Sequence, residues 1–209
     1  MDELFNFNEA VIGIGTGRTV TGIITNQFPK NFWQKNFFVP SSFDSEVLLM
    51  TKNAKILSLS SVKTLDLYID GADWIHLKER MAIKGYGGAM FKEKVCYLKA
   101  RRNILFVNSQ KICDTFDNLA IPFEVNPACV DIFMSHLEKF DCEFQIRQSQ
   151  GGKFGSVITE NGFVIVDVKF KQYSLEGVQY LSNCLGVLCS GLFFEKPHQV
   201  FNLDTMNFL

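Results

Sequence analysis

The sequence predicts an α/β fold, in which a mostly parallel, Rossmann-like sheet with flanking helices is joined to a smaller α+β lobe of ferredoxin-like type. Up to about residue 125, short apolar runs alternate with segments of helical periodicity, which is typical of parallel sheets. After Pro127 the predicted order changes to helix, three strands, helix and strand, which favours a small α+β lobe. We therefore expect an α/β domain from residues 1–125 and 196–209 and a small lobe from residues 126–195.

The α/β part is expected to begin with a strand, a glycine loop and a helix. Residues 10–14 are apolar and Gly15-Thr16-Gly17 interrupts them. Apolar residues then recur at helical spacing, namely Val20, Ile23, Ile24 and Phe28. Further apolar runs predict strands at residues 37–39, 55–59, 65–69, 103–107 and 199–203. Helical patterns lie between these runs at residues 44–51 and from about residue 88.

The small lobe is expected to open with a helix at Pro127, because proline needs no backbone N–H at a helix start. Three strands follow at residues 142–147, 156–159 and 163–168. The last two are joined by Glu160-Asn161-Gly162, a typical hairpin turn. A second helix spans about residues 174–185 and ends at Gly186, and residues 187–194 return as a strand.

The bulk composition excludes several functional classes. The 209 residues carry a formal net charge of -1 and no basic stripe, so nucleic-acid binding is not expected. No apolar run is long enough to span a membrane, and Met1-Asp2-Glu3-Leu4 does not open a targeting signal. The six cysteines form no C-x-x-C pair and the three histidines are far apart, so neither a metal site nor a disulfide framework is expected. Reduced thiols fit a cytoplasmic protein.

The ionisable residues that are candidates for chemistry are concentrated in residues 67–94. A buried strand is predicted to end at two acids, a lysine then precedes three glycines, and a glutamate lies close to the start of the next helix. The ionisable candidates are Asp70, Asp73, Lys84 and Glu93, and the glycines of the loop are Gly85, Gly87 and Gly88. Ligands of open α/β sheets bind where strands end and helices begin, so the ionisable residues are predicted to share one cleft. Each residue taken alone also fits a cap, a turn or a solvated surface.

The glycine loop after the first strand is a candidate phosphate site. Its backbone amides and the hydroxyls of Thr16 and Thr19 are groups that bind phosphate. A dinucleotide fingerprint is one alternative, but Arg18 or Val20 stands where its third glycine would be, and no acid follows near residue 35. NAD is therefore not expected, while a simple tight turn stays an open alternative.

Several motifs, in order along the chain, resemble those of the ribose-5-phosphate isomerase type A family. The core is D-G-A-D from Asp70 to Asp73, followed by K-G-x-G-G-A from Lys84 and by Glu93-Lys94. Further matching segments are Gly13–Thr19, Asn108–Lys111, Pro122–Val125, Val164–Val168 and Gly191–Phe193. Several ordered motifs identify a family far better than one motif alone.

The resemblance implies an enzyme of the pentose phosphate pathway that interconverts D-ribose 5-phosphate and D-ribulose 5-phosphate without a metal or other cofactor. It implies that Glu93 shuttles the proton and that Lys84 stabilises the negative oxygen of the enediolate. Asp70 and Asp73 would bind sugar hydroxyls and assist ring opening. The other implied substrate-binding residues are Thr16, Gly17, Arg18, Thr19, Ser41, Ser42, Gly85, Gly87, Gly88 and Lys111. The only implied partners are a small sugar phosphate and further copies of the chain, in a dimer or tetramer.

Three residues depart from the family pattern and keep alternatives open. Arg18 replaces a serine, Tyr86 replaces a loop glycine and Trp74 replaces a glutamate. The segment before the first strand is also too short for the helix that usually opens this fold. One alternative is therefore a catalytically impaired homologue that binds or senses a sugar phosphate. Another is an acyl or CoA transferase in which the same glutamate is a nucleophile, and ordinary helix capping is the alternative for Ser41 and Ser42.

Overall fold

The structure, a computed structural model, describes residues 7–26, 28–152, 154–196 and 198–209. The chain divides into two compact units. The first comprises the chain up to Ala72, Lys92–Ile112 and Phe194–Leu209, and the second comprises Asp73–Phe91 and Cys113–Phe193. The domain limits expected near residues 125 and 195 stay a prediction. The expectations about Met1–Leu4 and about a missing first helix lie outside the described residues.

The described ranges contain both strands and helices, named here in chain order. The strands are β1 (Val11–Ile14), β2 (Phe37–Pro40), β3 (Lys55–Ile56), β4 (Leu67–Gly71), β5 (Trp74–His76), β6 (Met81–Ile83), β7 (Asn103–Val107), β8 (Ala120–Val125), β9 (Cys142–Ile146), β10 (Val164–Phe170), β11 (Val187–Ser190), β12 (Leu192–Phe193), β13 (Gln199–Asn202) and β14 (Asn207–Phe208). The α-helices are α1 (Arg18–Asn26), α2 (Lys30–Lys35), α3 (Phe43–Thr51), α4 (Met90–Lys99), α5 (Val130–Leu137) and α6 (Leu175–Ser182).

The first unit is built on a seven-stranded sheet in the order β14-β13-β7-β4-β1-β2-β3. Strands β13 to β3 of this order run parallel to their neighbours, and β14 at the edge is antiparallel. Successive residues of a strand point to opposite faces of the sheet. On β4, Leu67 and Ile69 pack with apolar residues of α1 in one cluster, while Tyr68 and Asp70 lie on the other face. Helix α4 covers that second face, where Gly13 leaves room for Tyr68 and Cys96.

The strand order fixes where a ligand site is expected in the first unit. From β1 the chain builds β2 and β3 on one side, and then returns to place β4 on the other side of β1. The order therefore reverses beside β1, and in open α/β sheets ligands bind outside the carboxyl ends of the strands at such a point. The loops that begin there start at Gly15, after β1, and at Ala72, after β4.

The second unit contains two smaller sheets. One is four-stranded and antiparallel, in the order β11-β8-β10-β9, and the other is three-stranded, in the order β12-β6-β5. Helices α5 and α6 contribute buried apolar residues, of which Phe133 of α5 lies 5.3 Å from Phe123 of β8 between ring centroids. Within the described residues of both units, no helix is both long enough and apolar enough to cross a membrane.

The predicted fold class, an α/β protein with a mostly parallel sheet and a smaller α+β part, is confirmed. The strands predicted at residues 37–39, 103–107 and 199–203 coincide with β2, β7 and β13 to within one residue, and the last of them joins the large sheet beside β7. The strand predicted at residues 55–59 is shorter, since β3 ends at Ile56.

Several element predictions were wrong or incomplete. In residues 156–159 only Ser156 and Ile158 form isolated bridges, to Gln148 and Val164, instead of a continuous strand. The chain enters this segment from Gly151, Gly152 and Gly155, which all have positive φ. The strand predicted at residues 187–194 is two strands in different sheets, since Gly191 N–H donates to Pro122 O and its own carbonyl accepts from Lys84. Helix α1 ends before Phe28, and α6 ends at Ser182. Strands β5, β6, β8 and β14 and helix α2 were not predicted.

Candidate active site

The glycine loop after β1 brings three hydroxyl groups together in the first unit. Gly17 has a φ of +110°, a left-handed conformation that glycine adopts without strain, and this turn leads into α1. Thr16 Oγ1 lies 3.0 Å from Ser41 Oγ and donates to Ser42 Oγ at 2.7 Å. We call these three residues, Thr16, Ser41 and Ser42, the hydroxyl cluster. It lies at the carboxyl ends of β1 and β2, which are adjacent and parallel.

Ser42 has a structural role as well. Its side chain accepts from Ser45 N–H, and its own N–H donates to the Ser45 hydroxyl, so it forms a capping box at the start of α3. The capping alternative is therefore confirmed for Ser42. Ser41 is fully buried, and its N–H donates to Ile14 O at the end of β1.

The amino terminus of α1 faces the same loop and carries no acidic residue in its first turn. Unpaired N–H groups and the helix dipole make such a terminus favourable for an anion. Arg18 begins the helix and is exposed, while Thr19 is half-buried. A Cβ placed on Gly71 would lie 3.3 Å from Thr19 Cβ, so the chain at the end of β4 passes close to the first turn of α1.

Asp70 is the fully buried acid at the end of β4. Its Oδ1 accepts from Gly71 N–H at 2.7 Å and its Oδ2 accepts from the Tyr68 hydroxyl. Gly15 faces this carboxylate, and any Cβ at Gly15 would overlap it. The Asp70 carboxyl group therefore occupies space that a side chain at position 15 would fill. Tyr68 and Gly71 N–H orient the two carboxyl oxygens of Asp70.

Glu93 lies in the first turn of α4 and is buried, with 3% of its surface exposed. Burial raises the pKa of Tyr68 well above its usual value, and the charges of Asp70 and Glu93 raise it further. Burial likewise raises the pKa of Cys96, and the same two carboxylates add to that effect. Since both acids act on Tyr68 and on Cys96, Asp70 and Glu93 share one buried environment on the α4 side of the sheet.

Lys111 follows β7 in a short 3-10 turn. Its ammonium donates to Ala72 O at 2.7 Å, directly after β4. The parallel pairing of β4 with β7 brings these two strand ends together. The structure therefore places Lys111 beside the Asp70 loop of the first unit.

Lys84 belongs to the second unit, where it follows β6. Its N–H donates to Gly191 O at 2.8 Å, and any Cβ at Gly191 would overlap Lys84 O. The side chain is buried, with Nζ 5.7 Å from the centroid of the Phe193 ring. A cation near an aromatic face is stabilised by the ring quadrupole. Backbone pairing and packing thus both fix Lys84 within the second unit.

The glycine loop after Lys84 has two left-handed positions, Gly85 with a φ of +105° and Gly88 with +80°. Tyr86 is not one of the residues with positive φ, so the side chain that departs from the family pattern meets no backbone strain. Tyr86 N–H donates to Asp73 Oδ2 at 3.0 Å, which places Asp73 against the same loop. A Cβ at Gly87 would meet open space.

The predicted site residues thus fall into two groups, one in each unit. Asp70, Glu93, Lys111, the hydroxyl cluster and the start of α1 belong to the first unit, and Asp73, Lys84 and the glycine loop belong to the second. The convergence of all four ionisable side chains on one ligand stays a prediction. In the described residues no group of three His, Cys, Asp or Glu side chains is suited to hold a metal ion.

Sequence reasoning missed two residues that contact these groups. One is Tyr68, whose alternation with Asp70 on β4 was the available signal that both point to the same face. The other is Arg147, which donates to the carbonyls of Gly85 and Tyr86 from a position far along the chain. No local pattern in the sequence marks that contact.

Comparison with known proteins identifies a family. The family model described as Ribose 5-phosphate isomerase A (phosphoriboisomerase A) matches residues 37–204. A relative from Methanococcus vannielii, Ribose-5-phosphate isomerase A, is 32% identical over 191 residues, which cover 89% of this chain and 79% of the relative. A relative of the same name from Archaeoglobus fulgidus is 31% identical over 193 residues, which cover 89% of this chain and 84% of the relative.

Solved structures give the same result for the fold. Ribose 5-phosphate isomerase A from Methanocaldococcus jannaschii superposes with a TM-score of 0.87 at 28% identity, covering 97% of this chain and 92% of that chain. A D-ribose-5-phosphate isomerase in complex with phospho-erythronic acid has a TM-score of 0.87 at 28% identity, covering 100% of this chain and 94% of that chain.

Proposed function

The chain belongs to the ribose-5-phosphate isomerase A family, and from this premise we propose that it interconverts D-ribose 5-phosphate and D-ribulose 5-phosphate with Glu93 as the proton-transferring base. The observation that carries the assignment of the base is the burial of Glu93 beside Asp70 and Tyr68 at the carboxyl end of the parallel sheet. The resemblance stated from the sequence is confirmed by the comparisons.

The reaction moves one proton between C1 and C2 of the sugar through an enediol or enediolate. A carboxylate serves such a step as base and then as acid, so one residue is enough to remove and return the proton. Glu93 suits this role because it is withdrawn from bulk water and lies in the first turn of a helix, where the helix dipole stabilises its charge. Cys96 and Tyr97 are buried residues of the same helix.

The developing oxyanion needs a positive or hydrogen-bonding partner, and we assign this role to Lys84. A buried ammonium stabilises charge that arises only in the transition state, and such a group mainly raises kcat. Asp70 and Asp73 are assigned to sugar hydroxyls and to the proton transfer that opens the furanose ring. The orientation of Asp70 by Tyr68 and Gly71 supports a positioning task of this kind.

The phosphate is assigned to the hydroxyl cluster and the start of α1. Three hydroxyls and the amino end of a helix with no acid in its own first turn support a local anion site in a protein of net charge -1. The complex of one structural relative with phospho-erythronic acid supports a phosphorylated sugar derivative as the ligand class. Gly17, Arg18 and Thr19 lie on the same segment, and Gly85, Gly87, Gly88 and Lys111 are assigned to the sugar.

The alternative of an impaired, sensing homologue has no observation in its favour. It rested on Arg18 and Tyr86. Arg18 is exposed at the start of α1, and Tyr86 has no positive φ, so neither disrupts its loop. Glu93, which a sensor does not need, is retained and buried. The transferase alternative is not supported by the family to which the chain belongs.

Assembly, location and metabolic context are proposals at a finer level. We infer a homo-oligomer, a dimer or tetramer, from the family resemblance alone. The six cysteines are free, which supports a reducing compartment, and we propose the cytoplasm. The family implies a place in the pentose phosphate pathway.

The test of the function is conversion of ribose 5-phosphate by the purified protein, with and without a metal chelator. Formation of ribulose 5-phosphate at equal rates in both samples supports the proposal, including the absence of a metal. Binding of ribose 5-phosphate without turnover would support the sensor instead. In the same assay Thr16→Ala should raise KM for the phosphorylated sugar and leave the weak turnover of free ribose unchanged, and equal losses for both sugars would contradict the phosphate assignment.

A further inference from the structure

We propose that Arg147 is a positioning residue which, together with Tyr86 and Trp74, holds the glycine loop after Lys84 in one conformation. We call Arg147, Tyr86 and Trp74 the loop clamp. The inference rests on the role proposed above for Lys84, and it adds residues that lie outside the motifs from which that role was assigned. All three residues and the loop belong to the second unit.

Arg147 divides its guanidinium between a carboxylate and the loop. Nε donates to Asp167 Oδ2 at 2.8 Å, and Nη2 donates to Asp167 Oδ1, so the pair is bidentate. Nη1 points the other way and donates to Gly85 O at 2.7 Å and to Tyr86 O at 3.1 Å. The planar fork of arginine allows this division, whereas the point charge of a lysine does not. The side chains are largely buried, with 16% of Arg147 and 8% of Asp167 exposed.

Tyr86 adds two further hydrogen bonds that hold the glycine loop. Its N–H donates to Asp73, and its hydroxyl donates to Ala120 O at 3.1 Å on β8. Burial raises the pKa of the Tyr86 phenol, and hydrogen bonding by the side chain of Trp74 opposes that effect, which places Trp74 beside Tyr86. The guanidinium carbon of Arg147, Cζ, also lies over the ring of Tyr86, 5.7 Å from the ring centroid.

The loop needs such contacts because its sequence does not restrain it. Lys84-Gly85-Tyr86-Gly87-Gly88 contains three glycines, and glycine loses more backbone entropy on ordering than any other residue. The backbone of Lys84 is already fixed at Gly191. The clamp fixes the next two residues through their carbonyls, so the direction in which the chain leaves Lys84 is determined on both sides.

The two departures from the family pattern in this region are therefore one feature. Trp74 lies beside Tyr86, and the ring of Tyr86 lies beside the arginine that holds the loop. A tyrosine in place of a loop glycine supplies a hydroxyl anchor and a ring for Arg147. The substitution stabilises the loop of this chain instead of obstructing it.

The test compares Arg147→Lys with wild type by hydrogen exchange and by steady-state kinetics. Lysine keeps a positive charge for Asp167 and so avoids leaving a buried carboxylate unpaired, but it cannot also hold two carbonyls. The rate of amide hydrogen exchange is measured without substrate on peptides covering residues 84–90, where the amides of Tyr86 and Gly88 are hydrogen-bonded. We expect exchange there to be about tenfold faster. We expect kcat to fall about tenfold, with KM within roughly twofold, because a misplaced Lys84 weakens the transition state.

A matched control and a second variant separate the clamp from general stability. Arg101→Lys alters an exposed arginine that pairs with Asp66 at 3.0 Å in the first unit, and it should change neither readout. Tyr86→Phe keeps the ring and removes the hydroxyl anchor, and it should speed exchange by a smaller factor.

Two results would overturn the proposal. One is unchanged exchange of residues 84–90 in Arg147→Lys, and the other is faster exchange with unchanged kcat. The exchange readout needs no turnover, so it decides the existence of the clamp even if the wild-type protein fails to isomerise ribose 5-phosphate.

Discussion

Replacing Gly15 by alanine tests how the first unit places its buried acid. A Cβ at Gly15 would overlap the carboxyl group of Asp70. Gly15 is not among the glycines with positive φ, so the added methyl group acts by steric overlap and not by backbone strain. Asp70 is fully buried and held by Tyr68 and by Gly71 N–H, and it therefore has to leave at least one of these partners.

The size of the effect follows from these contacts. Overpacking a close-packed interior costs about 1–3 kcal/mol. Loss of a hydrogen bond to a charged group costs roughly 1.5–3 kcal/mol. Together they lower the free energy of unfolding by about 2.5–6 kcal/mol, and for a chain of this size each kcal/mol shifts Tm by about 2–4 °C. We expect Tm to fall by roughly 5–24 °C and kcat/KM to fall about 100-fold, because Asp70 is displaced.

Thermal unfolding and initial rates measure both effects, and Gly22→Ala is the matched control. A Cβ at Gly22, inside α1, would meet no atom within 4 Å, so alanine should stabilise the helix by about 0.5–1 kcal/mol. The decisive comparison repeats Gly15→Ala in an Asp70→Ala background, where the overlap is gone and the loss should shrink below about 1 kcal/mol. An equal loss of stability in both backgrounds would refute the reasoning.

Two further predictions concern Lys84 and alkaline pH. Lys84→Ala should lower kcat by about 100-fold or more with little change in KM, because its role lies in the transition state, and a change confined to KM would make it a binding residue. Burial raises the pKa of Tyr68 in the folded protein above its unfolded value near 10, so the protein should keep its full stability below pH 10 and lose it as the pH rises further. Urea unfolding should show a fall of up to about 1.4 kcal/mol per pH unit from this tyrosine, and Tyr68→Phe should reduce that fall; a free energy of unfolding that stays constant to pH 11 in wild type would contradict the assignment.

The parallel sheet was predictable because its strands are buried on both faces and read as apolar runs. Strand β8 was missed although it lies inside the four-stranded sheet, because Pro122 interrupts its pattern and proline argues against a central strand. The structure resolves this conflict. Strand β11 pairs with residues 123–125 only, so no partner on that side requires an N–H from Pro122. Its carbonyl is used instead, by Gly191 N–H.

The candidate site was predictable where its residues follow strand ends in sequence. Asp70, Glu93 and the hydroxyl cluster fall into this class, since strand, loop and helix patterns mark them locally. Tyr68 and Arg147 do not. Tyr68 reads as one more apolar strand residue, and Arg147 reaches the glycine loop only because β9 and β10 pair beside it. Such contacts depend on tertiary packing, which periodicity does not encode.

The most direct measurement for the central claim is the rate at which Glu93→Gln converts ribose 5-phosphate, compared with wild type at equal concentration of folded protein. Glutamine keeps the size of the buried side chain and removes the base. If the Glu93 carboxylate transfers the proton, Glu93→Gln should lower kcat by about 1000-fold. Binding of ribose 5-phosphate should be retained. Turnover by Glu93→Gln within tenfold of wild type would contradict the account.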